Sequence, residues 1–137
     1  MENHTPQIEE WRPVVGYEGS YEVSNLGKVR SLDRIIKQNS KLKKNYTKLI
    51  KGQLIRGGQR GGYRRIILFM KGVIRTETLS RIVATAFIPN IDQKNKKEVN
   101  HIDGDKLNNH HKNLEWVTPH GNVAQAVKMG LIKSGFR

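Results

Sequence analysis

The spacing of apolar residues changes along the chain, and each change marks an element. Between Trp11 and Leu32 the apolar residues Tyr21, Val23, Val29 and Leu32 stand in short runs separated by Gly16, Gly19 and Asn25-Leu26-Gly27. Short runs between turn-forming residues predict strands in an antiparallel meander. Residues 37–51 crowd Lys, Asn, Gln and Ser around few apolar positions, which predicts an exposed or DNA-ordered loop. Gly57, Gly58, Gly61 and Gly62 flank a turn, and after it Tyr63–Met70 and Val73–Thr78 enclose the tight Lys71-Gly72 turn as a hairpin. The period then lengthens. Leu79, Ile82, Val83, Ala86 and Phe87 fall at i, i+3, i+4, i+7 and i+8, one face of a helix that Pro89 stops. A polar linker over residues 90–97 leads to a strand at 98–102, an Asp103-Gly104-Asp105 turn, a polar loop at 106–112 and a second strand at 113–117. Leu114 and Trp116 alternate toward one side of that strand as core anchors. Thr118 suits an N-cap and Pro119 the first helical position, with Val123, Ala126 and Val127 as an apolar stripe ending before Gly130.

These elements make an α+β protein of one domain's size. Its 137 residues divide into a basic β-rich region (1–78), a connecting helix with its linker (79–97) and a strand-strand-helix unit (98–137). No internal repeat is present.

Charge changes the picture from fold to partner. Lys and Arg number 25 against 12 Asp and Glu, a net charge of +13, which calls for a polyanion. From Arg34 to Lys71 there are twelve Lys or Arg and no acid, interleaved with Tyr46 and Tyr63. Arg30, Arg34, Lys37, Lys41, Lys43, Lys44, Arg56, Arg60, Arg64 and Arg65 are the candidate DNA contacts, salt-sensitive and largely blind to base sequence. Charge alone leaves RNA and acidic proteins open. The chain has no cysteine, which excludes disulfides, thiol nucleophiles, zinc ribbons and iron-sulfur clusters. Its longest apolar run, Ile66 to Met70, is far too short to span a membrane, and its first residues lack a signal pattern, so a soluble cytoplasmic protein is expected.

His101, Asn113 and Asn122 stand at set points of the strand, loop, strand and helix. An imidazole can take a proton near neutral pH, and amide oxygens are ligands for hard cations. The stretch Val99-Asn100-His101-Ile102-Asp103-Gly104-Asp105-Lys106-Leu107-Asn108-Asn109, followed by Asn113-Leu114-Glu115-Trp116-Val117-Thr118 and Asn122, resembles the HNH endonuclease family, in particular the homing-type nucleases of phage genomes and introns. Upstream, Trp11-Arg12-Pro13-Val14-Val15-Gly16-Tyr17-Glu18-Gly19-Ser20-Tyr21-Glu22-Val23-Ser24-Asn25-Leu26-Gly27-Lys28-Val29-Arg30-Ser31-Leu32 is similar to a short module that precedes the nuclease core in such enzymes.

The resemblance implies a ββα-metal core and cleavage of double-stranded DNA. In it His101 is the general base that activates water, Asn122 and Asn100 bind one divalent metal, and Asn113 ties the inter-strand loop. Magnesium is the implied ion, with manganese as a substitute. Two departures stand out: many relatives carry Asp where this chain has Asn100, and often His where it has Ser80. Strand periodicity puts Asn100 and His101 on opposite faces, so both approach one metal only where the strand ends or kinks. The alternative reading is a DNA-binding regulatory or packaging protein with feeble catalysis, and a nonspecific RNA binder comes third. His110 and His111 are expected to be solvated, His120 to be a surface residue at the helix start, and Asp103 and Asp105 to be turn formers. Relatives often add a DNA-reading module after the core, so with the chain ending at Arg137 lower site specificity or a partner is expected. No oligomeric state is legible.

Overall fold

The computed structural model describes residues 7–39, 41–42 and 45–130. The amino-terminal meander consists of β1 (Trp11–Pro13), β2 (Tyr21–Ser24) and β3 (Val29–Ser31), paired antiparallel in sequence order. A two-residue strand pairs with the far edge of β3 from a distance no local pattern signals. In chain order, β4 (Arg34–Gln38) and β5 (Tyr46–Ile50) form a hairpin, β6 (Leu54–Ile55) is that edge strand, and β7 (Gly58–Arg60), β8 (Tyr63–Met70) and β9 (Val73–Thr78) make a three-stranded sheet. Helix α1 (Leu79–Phe87) follows at once, then the β10 (Glu98–His101) and β11 (Leu114–Val117) hairpin and α2 (Pro119–Lys128).

The hairpin at β4 and β5 corrects the expected loop over residues 37–51. Ile35, Ile36, Tyr46, Thr47 and Ile50 favour extended backbone, and the cross-strand pairs Ile35 with Leu49 and Gln38 with Tyr46 outweigh the lysines around them. Tyr46 donates its hydroxyl to Gln38 Oε1 at 2.6 Å. Lys43 and Lys44 lie outside the described residues.

One hydrophobic core crosses the segment boundaries at 78 and 97. Val14, Tyr21, Val23 and Val29 from the meander pack with Ile66 and Leu68 of β8, Leu79, Ile82 and Val83 of α1, and Leu114 of β11. Each fully buried aliphatic side chain contributes roughly 1.5–3 kcal/mol, so this cluster binds meander, connecting helix and hairpin into one unit. The 3.6-residue stripe of α1 is its centre. Trp116 shares the Leu114 face and donates its indole N–H to the Ile88 carbonyl at 2.9 Å. The apolar stripe of α2 is weaker than its spacing suggests, because Val123 is 49% exposed. Among the described residues no helix is long and apolar enough to cross a membrane.

The meander also grips the loop before β11. Asn25 accepts the Glu10 N–H on its side-chain oxygen at 2.8 Å, and its carbonyl accepts the N–H of His111 at 2.9 Å. Beside it, Gly27 has φ +87°, and a Cβ there would sit 2.9 Å from the Asn109 carbonyl oxygen. Only glycine allows both the left-handed turn and this approach.

Candidate active site

The register of β10 against β11 sets the site. Asn100 pairs with Glu115 and His101 with Leu114. Side chains alternate along a strand, so Glu98, Asn100 and Glu115 share one face while Val99, His101, Leu114 and Trp116 share the other. Helix α2 reaches the first face, where Asn122 donates its Nδ2 to Glu98 Oε2 at 2.8 Å. Asn100 donates its Nδ2 to Glu115 Oε1 at 2.9 Å.

His101 is 5% exposed and closes β10 on the second face. Its Nε2 lies 3.0 Å from Oδ1 of Asn109, itself 6% exposed. The Asn109 amide is turned that way because its nitrogen contacts the Leu107 carbonyl at 3.5 Å. An amide oxygen only accepts, so this contact needs the proton on Nε2, and in the neutral ring it leaves the lone pair to Nδ1. Tyr63 stands beside the imidazole with ring centroids 6.0 Å apart, and Lys106 Nζ lies 4.7 Å from the Tyr63 ring centre. The strand ends here, and the chain turns as Gly104 N–H meets the His101 carbonyl at 2.9 Å. Among the described residues His101 makes no hydrogen bond to Asn100 or Asn122.

Asn113 closes the loop between the strands. Its Oδ1 accepts the Asp103 N–H at 3.0 Å, and its Nδ2 donates to Asp103 Oδ1 and to the Asn108 carbonyl, both at 2.9 Å. Asp103 also takes the Asn108 amide at 2.8 Å and the Asp105 N–H at 2.8 Å. These donors hold its carboxyl below the usual range, Asn108 first and the Asp105 N–H next, with smaller help from Asn113 and the charge of His101. Asp103 and Asp105 are turn formers, since Asp105 Oδ1 in turn caps Leu107 N–H at 3.0 Å.

A hard divalent cation fits the first face. With their nitrogens given to carboxylates, the side-chain oxygens of Asn100 and Asn122 accept no hydrogen bond from a described residue, and amide oxygens beside carboxylates are a hard-cation donor set. No group of three His, Asp or Glu side chains suited to a metal occurs among the described residues.

The cationic candidates are not equivalent. Arg34, Lys37 and Lys41 are exposed along β4 and just beyond it, and Arg56 and Arg60 are exposed around β7. Arg64 and Arg65 are half-buried in β8, and Arg65 Nε has no acceptor among the described residues. Arg30 has partners of its own: its guanidinium is bound to Glu22 at 2.7 Å and lies 3.9 Å over the Trp11 ring, which ties it to the meander. His110 and His111 are corrected. They are half-buried and stacked at 5.0 Å, with His110 Nε2 2.6 Å from Gln7 Oε1 and its Nδ1 accepting the Lys112 N–H. Burial, then the charges of His111 and Lys112, pushes the His110 pKa down. His120 is exposed, and Ser80 is buried in contact with Thr78.

The NUMOD4 motif matches residues 9–69, and the HNH endonuclease family matches residues 77–124. The two matches cover the meander and its basic hairpins, then the helix and the strand-strand-helix site in the same order. Residues 77–124 of this chain form an HNH endonuclease module. Its HNH relatives include the DNA endonuclease I-HmuI of Bacillus phage SP01, 37% identical over 123 residues that cover 90% of this chain and 60% of that one. An uncharacterized HNH endonuclease of Acanthamoeba polyphaga mimivirus is 38% identical over 135 residues, covering 95% of this chain and 29% of that one. A solved structure described as DNA binding and cleavage by the HNH homing endonuclease I-HmuI superposes with a TM-score of 0.63 at 33% identity, over 90% of this chain and 61% of that one. The chain therefore spans less than two thirds of the length of these HNH relatives. HNH endonucleases generally depend on a divalent metal.

Within this HNH site, sequence reasoning named His101, Asn113, Asn122 and Asn100, placed Tyr63 only in the basic stretch, and assigned no site role to Asn109, Glu98, Glu115 or Lys106. Asn109 and Glu115 stand inside the HNH motifs, yet their partners depend on loop path and strand register. Tyr63 comes from β8, a separate element with no sequence link to His101.

Proposed function

We propose that this chain is a metal-dependent DNA endonuclease of the homing type, hydrolysing phosphodiester bonds of double-stranded DNA inside a host cell. The observation that carries the reading is the pairing of His101 Nε2 with the buried Asn109 oxygen, which reserves Nδ1 as a base at the end of β10. Water gives its proton to Nδ1 as its oxygen bonds to phosphorus; the bond from phosphorus to the 3′ oxygen breaks, and that oxygen takes up a proton. The products are 5′-phosphate and 3′-hydroxyl ends. A divalent cation held by Asn100 and Asn122, magnesium or in its place manganese, would supply Lewis-acid stabilisation of the charge on the phosphate and leaving oxygen. Asn113 keeps the loop around Asp103 closed and so holds His101 and Asn109 in place. The exposed cations of β4, β7 and the segments beside them, with Arg64 and Arg65, would bear on DNA phosphates.

Digestion of supercoiled plasmid with Mg²⁺ tests the reading, with nicked and linear products separated. Product should form, vanish with chelator, and fall by roughly two to four orders of magnitude in His101→Ala. Binding without metal-dependent cleavage would make the chain a DNA-binding protein on an HNH fold.

A further inference from the structure

We infer that Glu98 and Glu115 are positioning residues of the metal site: each carboxylate holds one ligand amide with its oxygen toward the ion, and together they supply the negative charge that the ligands lack. The inference rests on the metal reading above.

Orientation is one reason. An asparagine amide presents either an oxygen or an NH2 group to a cation, and the two faces have nearly the same shape. An ionised carboxylate can only accept, so an amide in contact with one must turn its nitrogen toward it. Glu115 takes the Asn100 nitrogen at 2.9 Å and Glu98 takes the Asn122 nitrogen at 2.8 Å. Both oxygens are thereby directed elsewhere, and the repulsive arrangement is removed before any ion arrives.

Charge is another. Asn100 and Asn122 are neutral, whereas an acid at position 100 would bring a formal charge into direct contact with the ion. Glu98 and Glu115 place two carboxylates one hydrogen bond behind the ligands. A hydrogen bond to a carboxylate also polarises an amide, drawing negative charge onto its oxygen.

Acidic groups are also scarce in this chain. It has 12 acidic residues against 25 Lys and Arg, yet among the described residues neither Glu98 nor Glu115 forms an ion pair with a cation. Glu9, Glu10, Glu22, Asp33 and Glu77 do so. The cross-strand register, which sets Glu115 opposite Asn100, and the two-residue step from Glu98 to Asn100 bring both carboxylates to the face that α2 covers with Asn122.

The test is Mn²⁺ binding to the purified protein without DNA, followed by water-proton relaxation. Glu98→Gln and Glu115→Gln keep shape and an acceptor oxygen but lose the charge and the obligatory orientation. Each should weaken Mn²⁺ binding roughly 10- to 100-fold, and adding Asn100→Asp to Glu115→Gln should restore most of the loss. Parent affinity in a folded Glu98→Gln/Glu115→Gln protein would overturn the inference. Asn100→Ala/Asn122→Ala is the control that separates the two claims. If it too binds Mn²⁺ as the parent does, the metal reading fails; if it alone loses binding, only the role of the carboxylates fails. Should a Gln variant not fold, the parent decides by NMR: substoichiometric Mn²⁺ must broaden the side-chain NH2 signals of Asn100 and Asn122 ahead of other asparagine signals, and their persistence overturns the inference.

Discussion

His101 Nε2 and Asn109 Oδ1 meet at 3.0 Å in a buried pair, eight residues apart in the chain and joined only because the loop folds back on the end of β10. An acceptor on one ring nitrogen fixes the proton there and leaves the other free as a base. Asn109→Ala should therefore lower kcat by roughly 10- to 100-fold, part of the 10²–10⁴ that a positioned base supplies, while KM for DNA changes little. Nitrogen-15 NMR of the His101 ring should show the Nε2–H tautomer in the parent and a mixture in the variant. An unchanged tautomer would mean that Asn109 only packs.

Gly27 bears on the same pair from the meander. In Gly27→Ala the new methyl meets the Asn109 carbonyl at 2.9 Å while its residue is held at φ +87°. Strain of this kind costs of order 1–3 kcal/mol. The variant should melt earlier and should also show a disturbed His101 ring signal. Earlier melting with an undisturbed ring would show that the meander contact supports the fold alone.

Asp103 links the loop to pH. Because its folded pKa lies below the unfolded value of about 3.9, its contribution is present above that pH and is lost as pH falls toward the lower folded pKa. Asp103→Asn should be less stable than the parent in urea at neutral pH, and the gap should close as acid takes the pH through the lowered folded pKa. A gap that persists in acid would assign the difference to packing and not to the carboxylate.

His110 shifts in the same direction for a different reason. Its folded pKa is below the ordinary imidazole value of about 6.5, so the stability it contributes is present above that pH and fades as pH falls through the folded pKa. The parent should lose stability as it is acidified below about pH 6.5, and His110→Gln should lose less over the same window. Parallel curves for the two proteins would remove His110 from the account.

The cations should divide into binding and structural groups. Replacing exposed Arg34, Lys37 and Lys41 by Ala should weaken DNA binding to all sequences alike and reduce the slope of log K against log salt by about 0.9 for each phosphate no longer neutralised. Arg30→Ala should leave that slope nearly unchanged and destabilise the meander, because Arg30 is held by Glu22 and Trp11. Equal slope changes would place Arg30 on the DNA face after all.

What the sequence by itself determined was whatever depends on local period and chemical type. The stripe from Leu79 to Phe87 needed only its spacing to be a helix, the Lys71-Gly72 turn only its residues, and the polyanion preference only its charge. The motif around His101 carried the family, and with it His101, Asn113 and Asn122 as the candidate site. The tertiary structure decided every relation that depends on which strand lies beside which. Register set Glu115 across from Asn100, the return of the loop set Asn109 on His101, and the shared core brought Tyr63 of β8 to the imidazole. The same packing set Arg30 against Glu22 and Trp11. A one-residue slip in a hairpin would turn each of these side chains to the opposite face. Periodicity gives the alternation of faces but not its origin, and only the packed core selects which face receives the site.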